Sequence, residues 1–435
     1  MLFSLEPLRA SEGDCMLLHW GATDKPLVAV IDGGPGRTFE TSLQPRLKEI
    51  STTLRQRPLP IHFVMVSHMD SDHIVGVRKM FRVMVREAEA KKPVDQRGFE
   101  VKRLWHNVFD DVLGNGVDNY YNTLPAPLQA SVEGEPAPDL ARRIAEAFEE
   151  RRNSDVDTAE FEGYAVASIL AGHGEGRDLR IDHKFLLDRH AIASLNAPFR
   201  ADTGHPSLIT AEKTPEEIPV EGLKVQIFGP MEAEIDALQA EFDAYIEEKG
   251  LNVESVLAAY ADKSAKNLSS IVCLIACEEG ATRKTILFTG DARGDKILLG
   301  LKNAGVMEHK LKVDVLKVPH HGSSRNVEQG FFDAIIADHY VFSGDGKHGN
   351  PDRETLEWLT AARGKDAEYN IYFTYLISEI DDERERVKSS RGKVWTSDSD
   401  TLAALISELK LQGFKFTVHE GAPLLIELGD ELVAW

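Results

Sequence analysis

The stretch VMVSHMDSDHIVG, Val64 to Gly76, closes an apolar run with His68, Asp70, Asp72 and His73 and then turns amphipathic. Its first half continues IHFVMVSH (Ile61–His68), which reads as a buried strand, and a helix is expected from about His73 to Ala90. A lone His68 would be an ordinary strand-end histidine. Four ligand-type side chains between a buried strand and a helix are not explained by a solvated loop. Imidazole and carboxylate both bind divalent metals, and α/β sheets place their sites at the carboxyl ends of strands.

Other strand signals lie on both sides of this one. LFSLEPL and CMLLHWG read as a hairpin pair across Ser11-Glu12-Gly13, and LVAVIDGGPG (Leu27–Gly36) as a buried strand entering a glycine turn. LKVQIFGP (Leu223–Pro230) precedes SSIVCLIACEEG and KTILFTGD, whose short connection predicts an antiparallel pair. A helix to about Gly305, the strand VDVLKVPH, a helix before HYVFSG and the capped helix PDRETLEWLTAAR follow. Buried strands separated by helices predict a layered α/β protein. Residues 1–110 and 215–435 are expected to form its body, with 360–435 as a C-terminal extension packed on it. Residues 111–214 are polar and rich in Gly, Pro and acid, which predicts an insertion or lid. The charge-rich DDERERVKSSRGK (Asp381–Lys393) reads as an exposed loop.

Several of these strands end in chemistry. Leu27–Ile31 delivers Asp32-Gly33-Gly34, Lys284–Thr289 delivers Gly290-Asp291, and Val313–Val318 delivers Pro319-His320-His321-Gly322-Ser323-Ser324. Asp291, after a glycine that allows a sharp turn, is placed to bridge two metals.

The whole chain sets limits. A length of 435 residues exceeds one minimal domain, and 42% hydrophobic residues supply ample core. The net charge of -21 repels polyanions at long range and argues against a broad nucleic-acid-coating surface. A local site remains open, because metals and a few basic residues reverse the field inside a cleft. Cys15, Cys273 and Cys277 form no CxxC pair and read as buried thiols, which suits a reducing compartment. The N-terminal MLFSLEPLRASEGD lacks a basic segment followed by an apolar one, and no run of about 18 apolar residues occurs. A cytoplasmic protein without membrane spans is expected.

SHMDSDH resembles the H-x-[HD]-x-D-H signature of the metallo-β-lactamase fold, and FTGD and KVPHHGSS resemble its later metal motifs. GDCMLL, VIDGG, SHMDSDHIVG, NLSSIVCLI, LFTGD and LKVPHHGSS, in that order, are similar to the hydrolase domain of ComEC-type DNA-uptake competence proteins. The likeness covers roughly residues 1–110 and 223–360. It implies a four-layer αβ/βα sandwich with two divalent metal ions, Zn or Mn, at the strand ends. His68 and Asp70 would bind one metal, Asp72 and His73 the other, and Asp291 would bridge. One histidine of the His320–His321 pair would complete the second metal; His321 is favoured, with His320 supporting it or contacting phosphate. Two departures stand out. KSAKNLSSIV lacks the histidine that many members carry before the strand leading to the GD motif, and Asn267 or a nearby serine occupies that space. The loop after the HYVFSG strand reads HGNP, with His348 ahead of Gly349-Asn350-Pro351, where ComEC-type members tend to have GHP. His173, His183 and His205, in the polar insertion, are further candidates for the missing ligand.

Such a site implies hydrolysis by metal-activated hydroxide, with Asp72 orienting the hydroxide. Ser323, Ser324 and the amides after Gly322 are expected to hold anionic oxygens, with Lys317, Arg325 and Arg293 supplying positive charge. The resemblance favours a phosphodiesterase or nuclease acting on DNA or another nucleic acid. The net charge favours a nucleotide, a cyclic nucleotide or a threaded single strand. Lactone or thioester hydrolysis, or a regulatory module on an inactive scaffold, stay open, the last because of the missing histidine. A basic track with aromatics would mark a nucleic-acid path, but RRIAEAFEERRN and Arg384–Lys393 are both diluted by acids.

Overall fold

In the computed structural model, which describes residues 1–107, 175–200, 207–237, 240, 270–390 and 392–433, the apolar runs form two mixed sheets. The first half supplies β1 (Leu2–Pro7), β2 (Cys15–Ala22), β3 (Lys25–Gly33), α1 (Gln44–Leu54), β4 (Leu59–Val66), α2 (Ser71–Glu89), β5 (Phe99–Val101) and β6 (Leu104–His106). A helix at 175–187, α3, follows, then β7 (Ile218–Val220) and β8 (Leu223–Gly229). The second half supplies β9 (Val272–Glu279), β10 (Thr282–Phe288), α4 (Gly294–Asn303), β11 (Leu311–Lys317), α5 (Gln329–Ala334) and β12 (Ile335–Phe342). It closes with α6 (Arg353–Arg363), β13 (Glu368–Phe373), α7 (Ile377–Ser390), α8 (Leu402–Leu411), β14 (Lys415–Glu420) and β15 (Ile426–Glu427).

One sheet runs β15-β1-β2-β3-β4-β5, with β6 also on β4, and the other β14-β13-β12-β11-β10-β9-β8-β7. β3 and β4 pair in parallel, Val30 opposite Val64, as do β10 and β11, Ile286 opposite Val315. The expected antiparallel β9–β10 pair is present, Phe288 opposite Cys273. Both sheets are buried on two faces, which is why their central strands read as continuous apolar runs. Phe3, Leu18, Ile31 and Phe63 meet Ile227, Cys273, Phe288 and Val315 between the sheets. Outside the first sheet, Leu47, Val77, Phe81 and Leu179 from α1, α2 and α3 cover Val30 and Val64. Outside the second, Ile297, Leu301, Phe332, Leu356 and Leu405 form the other helical layer. The result is the expected four-layer αβ/βα sandwich.

Residues 108–174 and 201–206, most of the expected insertion, lie outside the described residues, as do His173 and His205. The described part packs on the body: α3 lies along α2 through Arg78–Glu175 and through Arg82–Asp182 at 3.1 Å, and Phe199 and Ile209 enter the inter-sheet core. In the C-terminal part, β13 and β14 extend the second sheet and β15 pairs with β1 of the first.

The segment expected to be a loop from Asp381 is helical to Ser390. Ile377, Ile380 and Asp381 give α7 a buried side, and Asp381 accepts from the Leu402 and Ala403 amides at 2.8 and 3.1 Å, holding the start of α8. Arg384–Asp381 and Arg386–Glu383 pair one turn apart, so charges that read as loop-like are helix-stabilising at this spacing. All three cysteines are free and buried, and among the described residues no helix is long and apolar enough to cross a membrane.

Candidate metal centre

The site lies where strands of both sheets end. β3 ends on Asp32 and Gly33, and β4 is followed by Ser67 and His68. Asp70 directly precedes α2, which begins at Ser71, and makes no side-chain capping bond to it, while Asp72 and His73 ride on the helix's first turn. That turn sits against β3 with no space for side chains. A Cβ on Gly76 would lie 1.9 Å from the Gly33 carbonyl oxygen, and one on Gly33 would lie 2.3 Å from the Val77 nitrogen. From the second sheet, β10 leads through Gly290, at φ +49°, to Asp291, and β11 leads to the tight turn Pro319–Gly322. His320 and His321 are both left-handed there, at φ 48° and 54°. That conformation is costly for non-glycine residues and collects at functional sites.

Four imidazoles share one pattern. His68 Nδ1 meets Ser270 Oγ at 3.1 Å, and its Nε2 faces Asp70 at 3.5 Å. His73 Nδ1 lies 3.1 Å from Asp32 Oδ2, and its Nε2 faces Asp291 Oδ1 at 3.2 Å. His321 Nδ1 meets Ser343 Oγ at 2.9 Å and Asp14 at 3.2 Å, with its Nε2 3.3 Å from Asp72 and 3.6 Å from Asp291 Oδ1. His320 Nδ1 meets Asn326 Oδ1 at 2.7 Å, and its Nε2 faces the other Asp291 oxygen at 3.6 Å. Each ring thus has its outer nitrogen held and its inner nitrogen turned to a carboxylate, as metal-binding histidines do.

A divalent cation fits these donors. His73 Nε2, Asp291 Oδ1 and His321 Nε2 are buried and make no hydrogen bond, although they face one another. With Asp72, their donor atoms lie within 4.8 Å of one another. Leaving such atoms unpaired away from water is unfavourable, and a metal would satisfy all of them. Among the described residues, no comparably tight group of three or more includes His68 or Asp70, so that half is the more open one.

Buried carboxylates govern the protonation. Burial pushes the His321 imidazole down, but Asp291 and Asp14 outweigh it and hold it up at about 9. His73 is likewise held well above its ordinary value, against burial, by Asp291, Asp72 and Asp32. Burial raises Asp291, yet His320, His73 and His321 hold it well below the usual carboxylate range. In the metal-free protein the two rings therefore carry protons where a metal would draw on their lone pairs, and metal uptake releases them.

Exposure gives the site a direction. His68, His73, Asp291 and His321 are buried, whereas Asp70 and Asp72 are 15% and 18% exposed and His320 is 34% exposed. The opening lies on the Asp70, Asp72 and His320 side. Behind His321, the loop from Ser343 to Asp352 is fixed from two directions. Asn350 Nδ2 and the Asp352 amide donate to the carbonyls of His320 and Gly322, and Arg384 of α7 donates to the Gly349 carbonyl at 3.1 Å.

The structure thus brings His68, Asp70, Asp72, His73, Asp291, His320 and His321 together. The expected phosphate grip is arranged differently. The Ser324 amide donates to Asp352 at 2.8 Å and the Ser323 amide to the His320 carbonyl at 2.9 Å, so neither is free for a ligand oxygen. Lys317 is not at the mouth: it is 1% exposed, with its ammonium 2.8 Å from Asp14 Oδ2. Burial against a carboxylate withdraws it from substrate. Arg293 pairs with Asp295 at 3.0 Å, Arg325 is exposed beside the turn, and Asn267 lies outside the described residues. His183 Nε2 donates to the Ala193 carbonyl, 3.0 Å away, with its ring buried in α3. Sequence reasoning did not single out Asp14, Ser343 or Asn326; it placed Asp32 at a strand end without a role, and Ser270, which meets His68, is one of the serines near the missing histidine. Asp14 and Asp32 stand in GDCMLL and VIDGG at strand ends, which was the available signal.

Comparison with known proteins found no matching family model and no matching curated protein. Among solved structures, the chain is similar to MEM-A1, a subclass B3 metallo-beta-lactamase isolated from a soil metagenome library. That match has 11% identity and a TM-score of 0.27, and covers 82% of this chain and 92% of that one. It is similar to the Rm3 metallo-beta-lactamase with the same identity and TM-score, over 82% of this chain and 90% of that one.

Proposed function

We propose that the chain is a hydrolase dependent on two divalent metal ions, Zn or Mn, and that it cleaves phosphodiesters, with DNA or another nucleic acid as the leading substrate class. The observation that carries the reading is the set of four imidazoles with held Nδ1, three of which turn Nε2 to Asp291 and the fourth, His68, to Asp70. Asp72, His73 and His321 would hold one metal and His68 and Asp70 the other, with Asp291, whose Oδ1 faces His73 and His321 and whose Oδ2 faces His320, as the bridge. Metals held there would supply Lewis acidity and a water acidic enough to attack near neutral pH. Asp72, at the mouth, would orient that water. His320 would contact the substrate, since its ring, fixed by Asn326 through Nδ1, is 34% exposed at the mouth.

Nucleic acid as substrate rests on the similarity of the motif order to ComEC-type hydrolase domains. A small nucleotide is the second reading, favoured by the net charge of -21 and by the engagement of Lys317 and Arg293 with carboxylates. The test is a panel of single- and double-stranded DNA, RNA, cyclic nucleotides and bis-p-nitrophenyl phosphate, with zinc, manganese or magnesium, alongside metal analysis. Cleavage of polymers supports the first reading and cleavage of nucleotides alone the second. A lactone or thioester hydrolysed in preference to every phosphodiester would overturn both. Absence of bound metal and of any hydrolysis would leave a regulatory module on this scaffold.

A further inference from the structure

Lys317, the last residue of β11, is among the largest fully buried side chains of the described residues. Its ammonium contacts Asp14 Oδ2 at 2.8 Å and the Val318 carbonyl at 3.0 Å, and Asp14 is also 1% exposed. A buried ammonium is tolerated only beside a fixed opposite charge. Asp14 then reaches in two directions: Oδ1 to His321 Nδ1 at 3.2 Å and Oδ2 to within 3.9 Å of His73 Nδ1. With Asp32 and His73 it forms a second group of donor atoms within 4.8 Å of one another. By donor types alone, that group resembles another metal site. The Lys317 ammonium already sits against it, supplied by the chain and fixed in place.

We propose that Lys317 is a positioning residue, a built-in cation that occupies the acidic nest behind the metal centre and holds Asp14 so that Asp14 orients His321. Two consequences follow from the geometry. The nest takes up no additional divalent ion, because its positive charge is covalently tethered. His321 keeps its proton on Nδ1, facing Asp14, and offers Nε2 to the side of Asp72 and Asp291. Lys317 thus acts on the site through Asp14 and never touches substrate. This inference rests on the metal-centre reading above for its effect on affinity, but not for its effect on the ring.

The experiment compares wild type, Lys317→Met and the double variant Asp14→Asn/Lys317→Met, the last removing both charges so that a foldable protein is kept if the single variant fails. Manganese and zinc titrations of the folded proteins should show wild type saturating at two ions. Both variants should bind roughly 10- to 100-fold more weakly, the usual effect of losing an outer partner of a ligating histidine. The ring ¹⁵N spectrum of metal-free His321, at about pH 10 where the imidazole is neutral, should show the proton on Nδ1 in wild type. In the variants it should be distributed over both nitrogens. A wild type that binds no metal would sink the metal-centre reading while leaving the ring spectrum to decide on Lys317. An unchanged His321 spectrum in the variants, unchanged affinity, or a third ion in wild type would overturn the proposal.

Discussion

Asp32→Asn isolates the work of one hydrogen bond. Asp32 is fully buried and left-handed, at φ 59°, a conformation that asparagine adopts readily. Its Oδ1 accepts from the Ser67 amide at 2.7 Å, while Oδ2 faces the Ser67 hydroxyl and, at 3.1 Å, His73 Nδ1. The Ser67 amide can only donate, so an asparagine must keep its oxygen there and turn its NH₂ to His73. The ring must then accept on Nδ1 and carry its proton on Nε2, the nitrogen that faces Asp291. Binding a metal requires the opposite tautomer and leaves two donors facing each other. An unpaired buried donor costs about 1–3 kcal/mol, which corresponds to a loss of roughly 5- to 150-fold in metal affinity, in the range expected for an outer partner of a ligating histidine. The Ser67 hydroxyl can rotate to accept from the new NH₂, so the metal-free fold should be preserved. Competition of the protein with a chelating dye for zinc measures the ratio, and circular dichroism with thermal melting checks the fold. A folded variant with metal affinity within about twofold of wild type would refute the assignment of Asp32 as the group that sets the His73 tautomer.

Other perturbations have equally definite outcomes. Asp291→Ala removes the carboxylate faced by His73, His320 and His321, and should abolish hydrolysis of bis-p-nitrophenyl phosphate and lower metal content in elemental analysis; wild-type turnover in that variant would contradict the bridge. Gly76→Ala places a methyl group 1.9 Å from the Gly33 carbonyl oxygen; chemical denaturation should show a loss of about 1–3 kcal/mol together with weaker metal binding, because the turn carrying Asp72 and His73 must move. Metal-free protein should lose stability as pH rises. His321 has an ordinary value of 6.5 and is held at about 9 in the fold, so its contribution is fully present below 6.5 and is lost as pH passes 9. Melting temperatures of the chelator-treated protein should fall across that interval, while metal affinity rises across it as protons cease to compete; a flat profile would show that His321 is not held in its charged form.

The half of the fold that sits beside the site was legible because parallel and doubly covered strands leave uninterrupted apolar runs, as in Ile61–Val66 and Val313–Val318. The ligand types were legible because they follow those runs directly. What decides their orientation was not. Asp32 is 41 residues from His73 and Asp14 is 307 from His321, and no local pattern couples such pairs. Lys317 illustrates the limit from the other side. A lysine next to a histidine-rich turn suggests phosphate, and only the packing of β11 behind Asp14 turns it inward. α7 was misread for a related reason: its buried side consists of few residues, and the partners that fix it, the Leu402 and Ala403 amides, come from the next helix.

The site is divided between the two sheets, with Asp72 and His73 beside one and Asp291 and His321 beside the other. During folding, each sheet can collapse locally, but donor atoms so distant along the chain meet only after the long loop between them has closed, and such contacts form late. Recovery of metal affinity in a refolding experiment would therefore time the docking of the sheets, independently of when secondary structure returns. At equilibrium a bound ion would act as a ligand of the docked state alone, adding about 2.7 kcal/mol at a concentration 100 times its dissociation constant. Metal supply would then set how long the chain survives proteolysis as well as whether it is competent to react.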